Sequence, residues 1–250
     1  MNTEARFLFY RYAWAKHLFS WVASCSSRRL TLGHLNTYRE KGLCGPLQQE
    51  EALLLYSLIR MIRPKVLLEF GFHYGHSTFN FLEAMGKEDH LYSFDIAESA
   101  KKVAATYFSH RKNFTFIFKS QADVSATDFA HLPIDFVFID ASHQLDLNQI
   151  TFTRLVPLLA PDCLIAIHDT GTWAKKYFEP SQVERGRTAA PEDWLNADEF
   201  QPAKEERKFV NWILDAHPEF SVINLNTLNT IRNGITLLQR TRKLPVGNET

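Results

Sequence analysis

The sequence is poor in features that mark several protein classes. It has only three cysteines, Cys25, Cys44 and Cys163, among 250 residues. They form no CxxC pair, and an odd number of scattered cysteines suits free thiols in a reducing compartment better than a disulfide framework. We therefore expect a cytoplasmic protein. Basic and acidic residues number 28 each, so no excess charge points to a nucleic acid or an anionic membrane as a partner.

No apolar run is long enough to predict a membrane span. Residues 6–22 are apolar and aromatic, but Arg11, Lys16 and His17 interrupt them before the roughly 20 residues that a span requires. We predict an amphipathic helix that packs on the domain or on a second subunit, as in a homodimer. A helix lying on a membrane surface is the alternative. Residues 1–47 are thus predicted to form an N-terminal helical arm.

Short apolar runs alternate with helical patterns from residue 48 onwards. A helix is predicted from Gln48 to Ile62, ended by Pro64. The apolar run at residues 66–70 is typical of a strand buried on both faces of a parallel sheet. Further strands are predicted near residues 91–96, 114–119, 134–140 and 163–168, with helices near 76–86, 98–110, 146–160 and 204–216. This alternation indicates βαβ units.

The C-terminal part departs from that alternation. Residues 171–204 are polar and without a period, which predicts a long loop or lid. Two β-like runs, 220–226 and 234–240, predict an antiparallel hairpin. The aromatic residues of the lid that could wall a substrate pocket are Trp173, Tyr177 and Trp194.

Together these patterns predict one α/β domain over residues 48–250. Its fold class is a Rossmann-like, doubly wound mixed sheet in three α/β/α layers, with parallel strands and a C-terminal antiparallel hairpin. Right-handed crossovers would bring the carboxyl ends of the parallel strands to one edge, where loops can meet a ligand.

The strongest functional signal lies between the first strand and the helix that follows it. Gly71 and Gly75 let the backbone turn sharply and approach a ligand closely, and the helix N-terminus beyond them presents N–H groups. Asp95 ends the next strand, 26 residues beyond Glu69, where a carboxylate can accept the hydroxyl protons of a ribose. The glycine turn and Asp95 together predict a nucleoside-binding site.

These residues resemble the class I S-adenosylmethionine-dependent methyltransferases, in which an acidic residue and glycines in an E/DxGxxxG turn hold the methionine part of the cofactor. The resemblance covers roughly residues 48–240. It implies that S-adenosylmethionine is the cofactor, and it assigns cofactor contacts to Glu69, Gly71, Phe72, Gly75, Ser77, Asp95, Ile96, Gln121, Ala122 and Asp140.

Two further strands end in acids, Asp140 and Asp169. Both carboxylates would emerge at the edge that carries the glycine turn, where they could bind one hard cation. The arrangement resembles the metal-dependent O-methyltransferases of the catechol and macrocin type, in which a magnesium ion gathers acceptor hydroxyl oxygens. Thr170 departs from that pattern, which has an amide or acid there. The alternative is that the two acids contact only cofactor, polar loops or water.

A histidine stands where the catechol-type enzymes carry the lysine that removes the hydroxyl proton. This residue, His143, follows Asp140 by three positions, and an imidazole can accept a proton at neutral pH. We predict that His143 is the general base, with His168 as the second candidate, and that Asp140 and Asp169 complete the catalytic set. The side chain of His168 could instead simply point into the helix layer.

The sequence therefore predicts an S-adenosylmethionine-dependent O-methyltransferase acting on a small hydroxylated molecule or sugar. A non-catalytic nucleoside-binding partner protein is a second hypothesis, motivated by Thr170. A NAD-dependent oxidoreductase is a third, which the four-residue glycine spacing and the terminal hairpin disfavour.

Overall fold

The computed structural model describes residues 47, 49–170, 201–226 and 234–240. The helices of these residues are α1 (Gln49–Ile62), α2 (His76–Ala84), α3 (Glu98–Tyr107), α4 (Leu145–Leu155) and α5 (Gln201–Ala216). The strands are β1 (Val66–Phe70), β2 (His90–Asp95), β3 (Phe114–Phe118), β4 (Ile134–Ile139), β5 (Leu159–Ile167), β6 (Phe220–Asn226) and β7 (Gly234–Arg240). Short 3₁₀ turns lie at Gln121–Asp123, Ala126–Phe129 and Val156–Leu158.

The seven strands form one mixed sheet in the order β3-β2-β1-β4-β5-β7-β6. Strands β1 to β5 are mutually parallel, whereas β7 pairs antiparallel with both β5 and β6. The predicted mixed sheet and antiparallel C-terminal pair are confirmed. The chain runs outward in opposite directions from β1 and β4, and such a switch point opens a crevice beyond the strand ends.

Helices cover both faces of the sheet and bury it completely at its centre. All five residues of β1 are buried, as its continuous apolar run predicts. On one face, Leu67 joins a core with α1, α2 and α3; on the other, Leu68 and Phe70 join a core with α4 and α5. The predicted three-layer α/β/α arrangement is confirmed.

The predicted helix near residues 146–160 is wrong after residue 155. Helix α4 ends at Leu155, a 3₁₀ turn follows, and β5 begins at Leu159. Pro157 has no N–H with which to continue the helical hydrogen bonds, so the chain leaves the helix there. Helix α5 begins at Gln201, three residues before its predicted start.

Several predictions lie outside the described residues. These are the structure of residues 1–46 and 171–200, and with them Cys25, Cys44, Trp173, Tyr177 and Trp194. Cys163 is a buried free thiol, in agreement with the prediction. Within the part of the chain that the structure describes, no helix is long and apolar enough to cross a membrane.

Gly71 allows β1 and β4 to continue side by side beyond their ends. Its φ is +97°, a conformation that other residues rarely adopt, and an added Cβ would lie 2.1 Å from the carbonyl oxygen of Asp140. The Asp140 N–H donates to the carbonyl of Phe70 at 3.0 Å. The glycine turn and the loop after β4 therefore touch backbone to backbone.

We expect Gly71→Ala to destabilise the protein by at least about 3 kcal/mol, because the methyl group must displace the Asp140 backbone and the left-handed φ is strained. The melting temperature should fall by on the order of 10 °C in calorimetry. Lys102→Ala, at an exposed position of α3, should leave it nearly unchanged. An unaltered melting point for Gly71→Ala would contradict the close approach.

Candidate active site

A cavity of about 700 Å³ opens at the carboxyl ends of β1, β2, β4 and β5. Most of the predicted site residues contribute to its wall: Gly71, Phe72, Ser77, Asp95, Ile96, Gln121, Asp140, His143 and Asp169. The structure thus brings together groups that lie up to a hundred residues apart in sequence. The remaining predicted site residues, Glu69, Gly75, Ala122 and His168, do not line the cavity.

Asp95 presents its carboxylate to the cavity from the end of β2. Its two oxygens accept the backbone N–H groups of His73 and Ala97, each at 2.8 Å. These bonds hold the carboxylate in place before any ligand arrives, as preorganisation requires. Beside it, the side chain of Ile96 is 69% exposed and offers an apolar surface at the rim. The ribose contact of Asp95 stays a prediction.

Glu69 lies behind the glycine turn and not in the cavity. Its fully buried carboxylate accepts hydrogen bonds from Ser77 Oγ at 2.5 Å, Ser93 Oγ at 2.6 Å and the hydroxyl of Thr78. Burial raises the pKa of Glu69 to about 7, although the hydroxyl groups oppose the rise. Glu69 therefore joins β1, β2 and the start of α2. These contacts stabilise the glycine turn, which lies between β1 and α2.

Gln121 forms a wall of the cavity at the predicted adenine end. Its amide nitrogen donates to Asn148 Oδ1 at 2.8 Å and to Thr151 Oγ1 at 3.0 Å, while its oxygen accepts the Ser142 N–H at 3.3 Å. These bonds join the 3₁₀ turn at Gln121–Asp123 to the loop after β4 and to α4. The neighbouring Ala122 lies outside the lining, and its carbonyl accepts from the Arg154 guanidinium.

Three side chains that can bind a metal converge in the cavity wall. Asp140, His143 and Asp169 each offer one ligand atom, and these atoms lie within 4.8 Å of one another. His143 Nε2 is 4.0 Å from Asp169 Oδ2. The sequence predicted the convergence of the two acids, because both end parallel strands; it assigned His143 to proton transfer and not to the ligand set.

His168 lies beneath this cluster, completely surrounded by protein. Its Nδ1 is 3.3 Å from Asp140 Oδ1 and 3.4 Å from Asp169 Oδ1, and its Nε2 is 3.0 Å from Glu51 Oε2. Burial alone would lower the pKa of His168, but the surrounding carboxylates raise it well above its usual value. The acids therefore favour the protonated ring, whose positive charge offsets theirs.

The hydroxyl of Thr170 points away from the acids. It accepts a hydrogen bond from Thr236 Oγ1 at 2.8 Å and lies 3.5 Å from the carbonyl oxygens of Ile167 and Gly234. Thr170 therefore joins β5 to β7 and offers no metal ligand. Thr170, which departs from the catechol-type pattern in the sequence, makes a structural contact in this protein.

The two carboxylates nevertheless fit a divalent cation. Magnesium is commonly held by one or two carboxylates, with water and substrate oxygens completing its shell. The imidazole of His143 would suit manganese or zinc as a third ligand. The donor set that could hold a metal is thus Asp140 and Asp169, with His143 beside them.

Sequence reasoning missed two buried acids of the site, Glu51 and Glu206. Glu51 on α1 contacts His168 and also accepts the N–H of Gly234 at 2.9 Å. Glu206 on α5 lies 3.2 Å from His143 Nδ1. Both stand on helices amid other charged residues, so their sequence surroundings resemble those of solvent-exposed acids. No local signal distinguishes them.

The glycine turn and the acidic strand ends lie in the part of the chain that matches a family model. Residues 68–170 match the model of a family described as a methyltransferase domain. The match begins in β1 and ends at Thr170, so it contains Asp95, Asp140, His143 and Asp169. No curated protein matches the chain by sequence.

Solved structures share the fold at low sequence identity. An O-methyltransferase from Bacillus cereus in complex with SAH is 16% identical, with a TM-score of 0.58, and the match covers 84% of this chain and 90% of that one. TomG, an O-methyltransferase from Streptomyces achromogenes involved in tomaymycin synthesis, in complex with SAM, is 17% identical, with a TM-score of 0.55. That match covers 85% of this chain and 89% of TomG. A SAH-bound methyltransferase from Podospora anserina is 14% identical, with a TM-score of 0.56, and the match covers 89% of this chain and 96% of that one.

The raised pKa of Glu69 predicts a pH-dependent stability. Because its folded-state pKa of about 7 lies above the ordinary 4.5, the folded state holds the proton more tightly. The stabilisation is complete below pH 4.5 and is lost as the pH rises through about 7. Glu69→Gln should remove this dependence, which amounts to at most about 3 kcal/mol.

Melting temperatures of the wild type and of Glu69→Gln across this pH range provide the measurement. The wild type should lose stability relative to the variant as the pH rises. Glu98→Gln, which replaces a carboxylate that is 66% exposed on α3, should follow the wild type. Parallel curves for wild type and Glu69→Gln would show that Glu69 is ionised throughout.

Proposed function

We propose that this chain, a class I S-adenosylmethionine-dependent methyltransferase, methylates a hydroxyl oxygen of a small molecule. One observation carries the proposal. A single cavity is lined both by the glycine turn and Asp95 and by the Asp140–His143–Asp169 cluster. A cofactor held by the first group would have its methyl group close to an acceptor held beside the second.

The glycine turn and Asp95 would hold the cofactor. The backbone at Gly71 has no side chain to keep the aminoacyl part away, and Ser77 stands at the start of α2, where N–H groups favour a carboxylate. Asp95 would accept both ribose hydroxyl protons. Ile96 and the wall formed by Gln121 would enclose the adenine between an apolar rim and a fixed loop.

In the reaction, an acceptor oxygen forms a bond to the methyl carbon while the carbon–sulfur bond breaks. The sulfur leaves with the electron pair, so the sulfonium becomes the neutral thioether of SAH. The acceptor's proton passes to Nε2 of His143, which lies at the cavity wall. The protein contributes mainly positioning and exclusion of water, because the sulfonium is already a good leaving group.

The charge of the cluster suits this chemistry. Asp140, Asp169 and Glu51 surround the ring of His168, and Glu206 contacts the ring of His143. A predominantly acidic wall attracts the positively charged sulfonium and stabilises the imidazolium that His143 becomes on accepting a proton. The same wall would hold a divalent cation through Asp140 and Asp169. When bound, such an ion would lower the pKa of the acceptor hydroxyl.

The acceptor is proposed from the cavity and from the neighbours. Its size suits a cofactor and a small hydroxylated molecule or sugar, and two of the structural neighbours are O-methyltransferases. A non-catalytic nucleoside-binding partner is the second candidate, which Thr170 favours because it supplies no third metal ligand. A cytoplasmic location and a homodimer stay predictions.

Two variants separate binding from chemistry. His143→Ala should lower kcat by about 100-fold or more, because proton removal loses its base, while the Kd for S-adenosylmethionine stays within about twofold of wild type. Asp95→Asn should instead weaken cofactor binding by at least about tenfold, since the amide cannot accept both ribose protons.

Calorimetry with S-adenosylmethionine and SAH measures the affinities. Transfer of a labelled methyl group to a panel of catechols, sugars and polyketides measures turnover. Cofactor binding without transfer to any acceptor would favour the non-catalytic candidate. Wild-type turnover in His143→Ala would remove the base, and the absence of cofactor binding would remove the function itself.

The metal proposal has a separate readout that does not depend on activity. Mn²⁺ can be titrated into the protein and followed by electron paramagnetic resonance. Asp169→Asn should weaken its binding at least about tenfold, because one of two carboxylate ligands is lost. Asp146→Asn, at the exposed start of α4, is the control and should bind like wild type. Equal affinity in both variants would place the ion elsewhere.

A further inference from the structure

Glu206 is an acid in the interior of the protein, against the proposed base. Its side chain is 2% exposed, and its Oε1 lies 3.2 Å from Nδ1 of His143, 63 residues away in sequence. The neighbouring helix residues Phe209 and Val210 belong to the apolar core. Burying a carboxyl group costs free energy of folding unless polar partners compensate it. The contact of Glu206 with the imidazole is one such compensation.

The partners of Oε1 decide which group donates the hydrogen bond. Asn148 Nδ2 donates to the same oxygen at 3.3 Å and to the Ser142 carbonyl at 2.9 Å. Asn148 Oδ1 accepts from Gln121 Nε2 at 2.8 Å, which fixes the orientation of the amide. Oε1 is therefore an acceptor, and because an ionised Glu206 has no hydrogen to donate, its carboxylate places the hydrogen between it and His143 on Nδ1.

The position of this hydrogen determines what the other ring nitrogen can do. A neutral imidazole with its hydrogen on Nδ1 has a lone pair on Nε2. Nε2 is the nitrogen that lies 4.0 Å from Asp169 Oδ2, at the metal-ligating cluster of the cavity wall. With the hydrogen on Nε2 instead, His143 would present a donor to the acceptor and could not remove its proton.

We propose that Glu206 is the positioning residue of the active site, which holds His143 in the Nδ1–H tautomer with Nε2 ready to accept the acceptor's proton. The proposal rests on the proposed role of His143 as the base. The carboxylate also orients the ring, in the way that a buried acid orients the histidine of other catalytic pairs. Asn148 extends the contact to Gln121, so the base and the cofactor wall share one hydrogen-bonded chain.

The tautomer is measured directly by nitrogen NMR of labelled protein at alkaline pH, where the ring is neutral. The His143 signal is assigned by its loss in His143→Ala. We expect the Nδ1–H form in wild type and also in Glu206→Gln, whose amide oxygen still accepts. Glu206→Leu, which keeps the bulk and removes the acceptor, should shift His143 towards the Nε2–H form.

Kinetics with catechol as the acceptor, and calorimetry with SAH, give the second readout. Glu206→Leu should lower kcat by about 100-fold, and Glu206→Gln by less than about tenfold. The KM for catechol and the Kd for SAH should stay within about twofold of wild type, which a general loss of structure would not produce. Glu205→Leu removes the adjacent acid of α5, which pairs with Lys208 at 2.7 Å, and should behave as wild type.

The Nε2–H form in the wild type would overturn the proposal without any variant. So would wild-type turnover, or an unchanged tautomer, in Glu206→Leu. If wild type transfers no methyl group but His143 is the Nδ1–H form and shifts in Glu206→Leu, the contact stands and the proposed reaction fails. The two failures are thus distinguishable.

Discussion

The buried ring of His168 joins three acids of the site, and their carboxylates favour its protonated form. It lies within 3.4 Å of carboxylate oxygens of Asp140, Asp169 and Glu51, which come from β4, the end of β5 and α1. Without a cation among them, three acids so close together would repel one another and would retain protons. Because the ring stands directly before Asp169 in sequence, the strand that delivers one acid also delivers the charge that compensates it. His143 adjoins this group through Asp169, with its Nε2 4.0 Å from Asp169 Oδ2.

Hydroxyl groups and backbone N–H groups hold the two acids near the glycine turn, Glu69 and Asp95. Glu69 is held by Ser77, Thr78 and Ser93 in a buried contact that joins β1, β2 and α2. Asp95 is fixed by two backbone N–H groups. Glu69, the first acid of the glycine motif, therefore links structural elements, whereas Asp95, one strand away, faces the cavity. The two carboxylates, each near the end of a strand in the sequence, therefore have different surroundings and different structural roles.

Local sequence patterns predicted most of the fold and the edge of the sheet at which the cavity opens. The bounds of β1, β6 and β7 agree with their apolar runs, since turn-forming or polar residues flank each run. Asp95, Asp140 and Asp169 could be placed on one edge because parallel strands must end there. The end of α4 was missed because periodicity continued past Pro157. Glu51 and Glu206 could not be found, because their partners lie 117 and 63 residues away and only packing of the helices brings them inward.

Leu47 links the beginning of the described chain to the ligand site. It is 4% exposed, it belongs to the core that α1 and α2 form, and it also lines the cavity. A shortened protein designed to start at the first helix would therefore lose part of the cavity wall as well as a core side chain. Fragment boundaries for crystallisation or ligand screening should be set upstream of this leucine, since a shape measured without it would not be that of the native pocket.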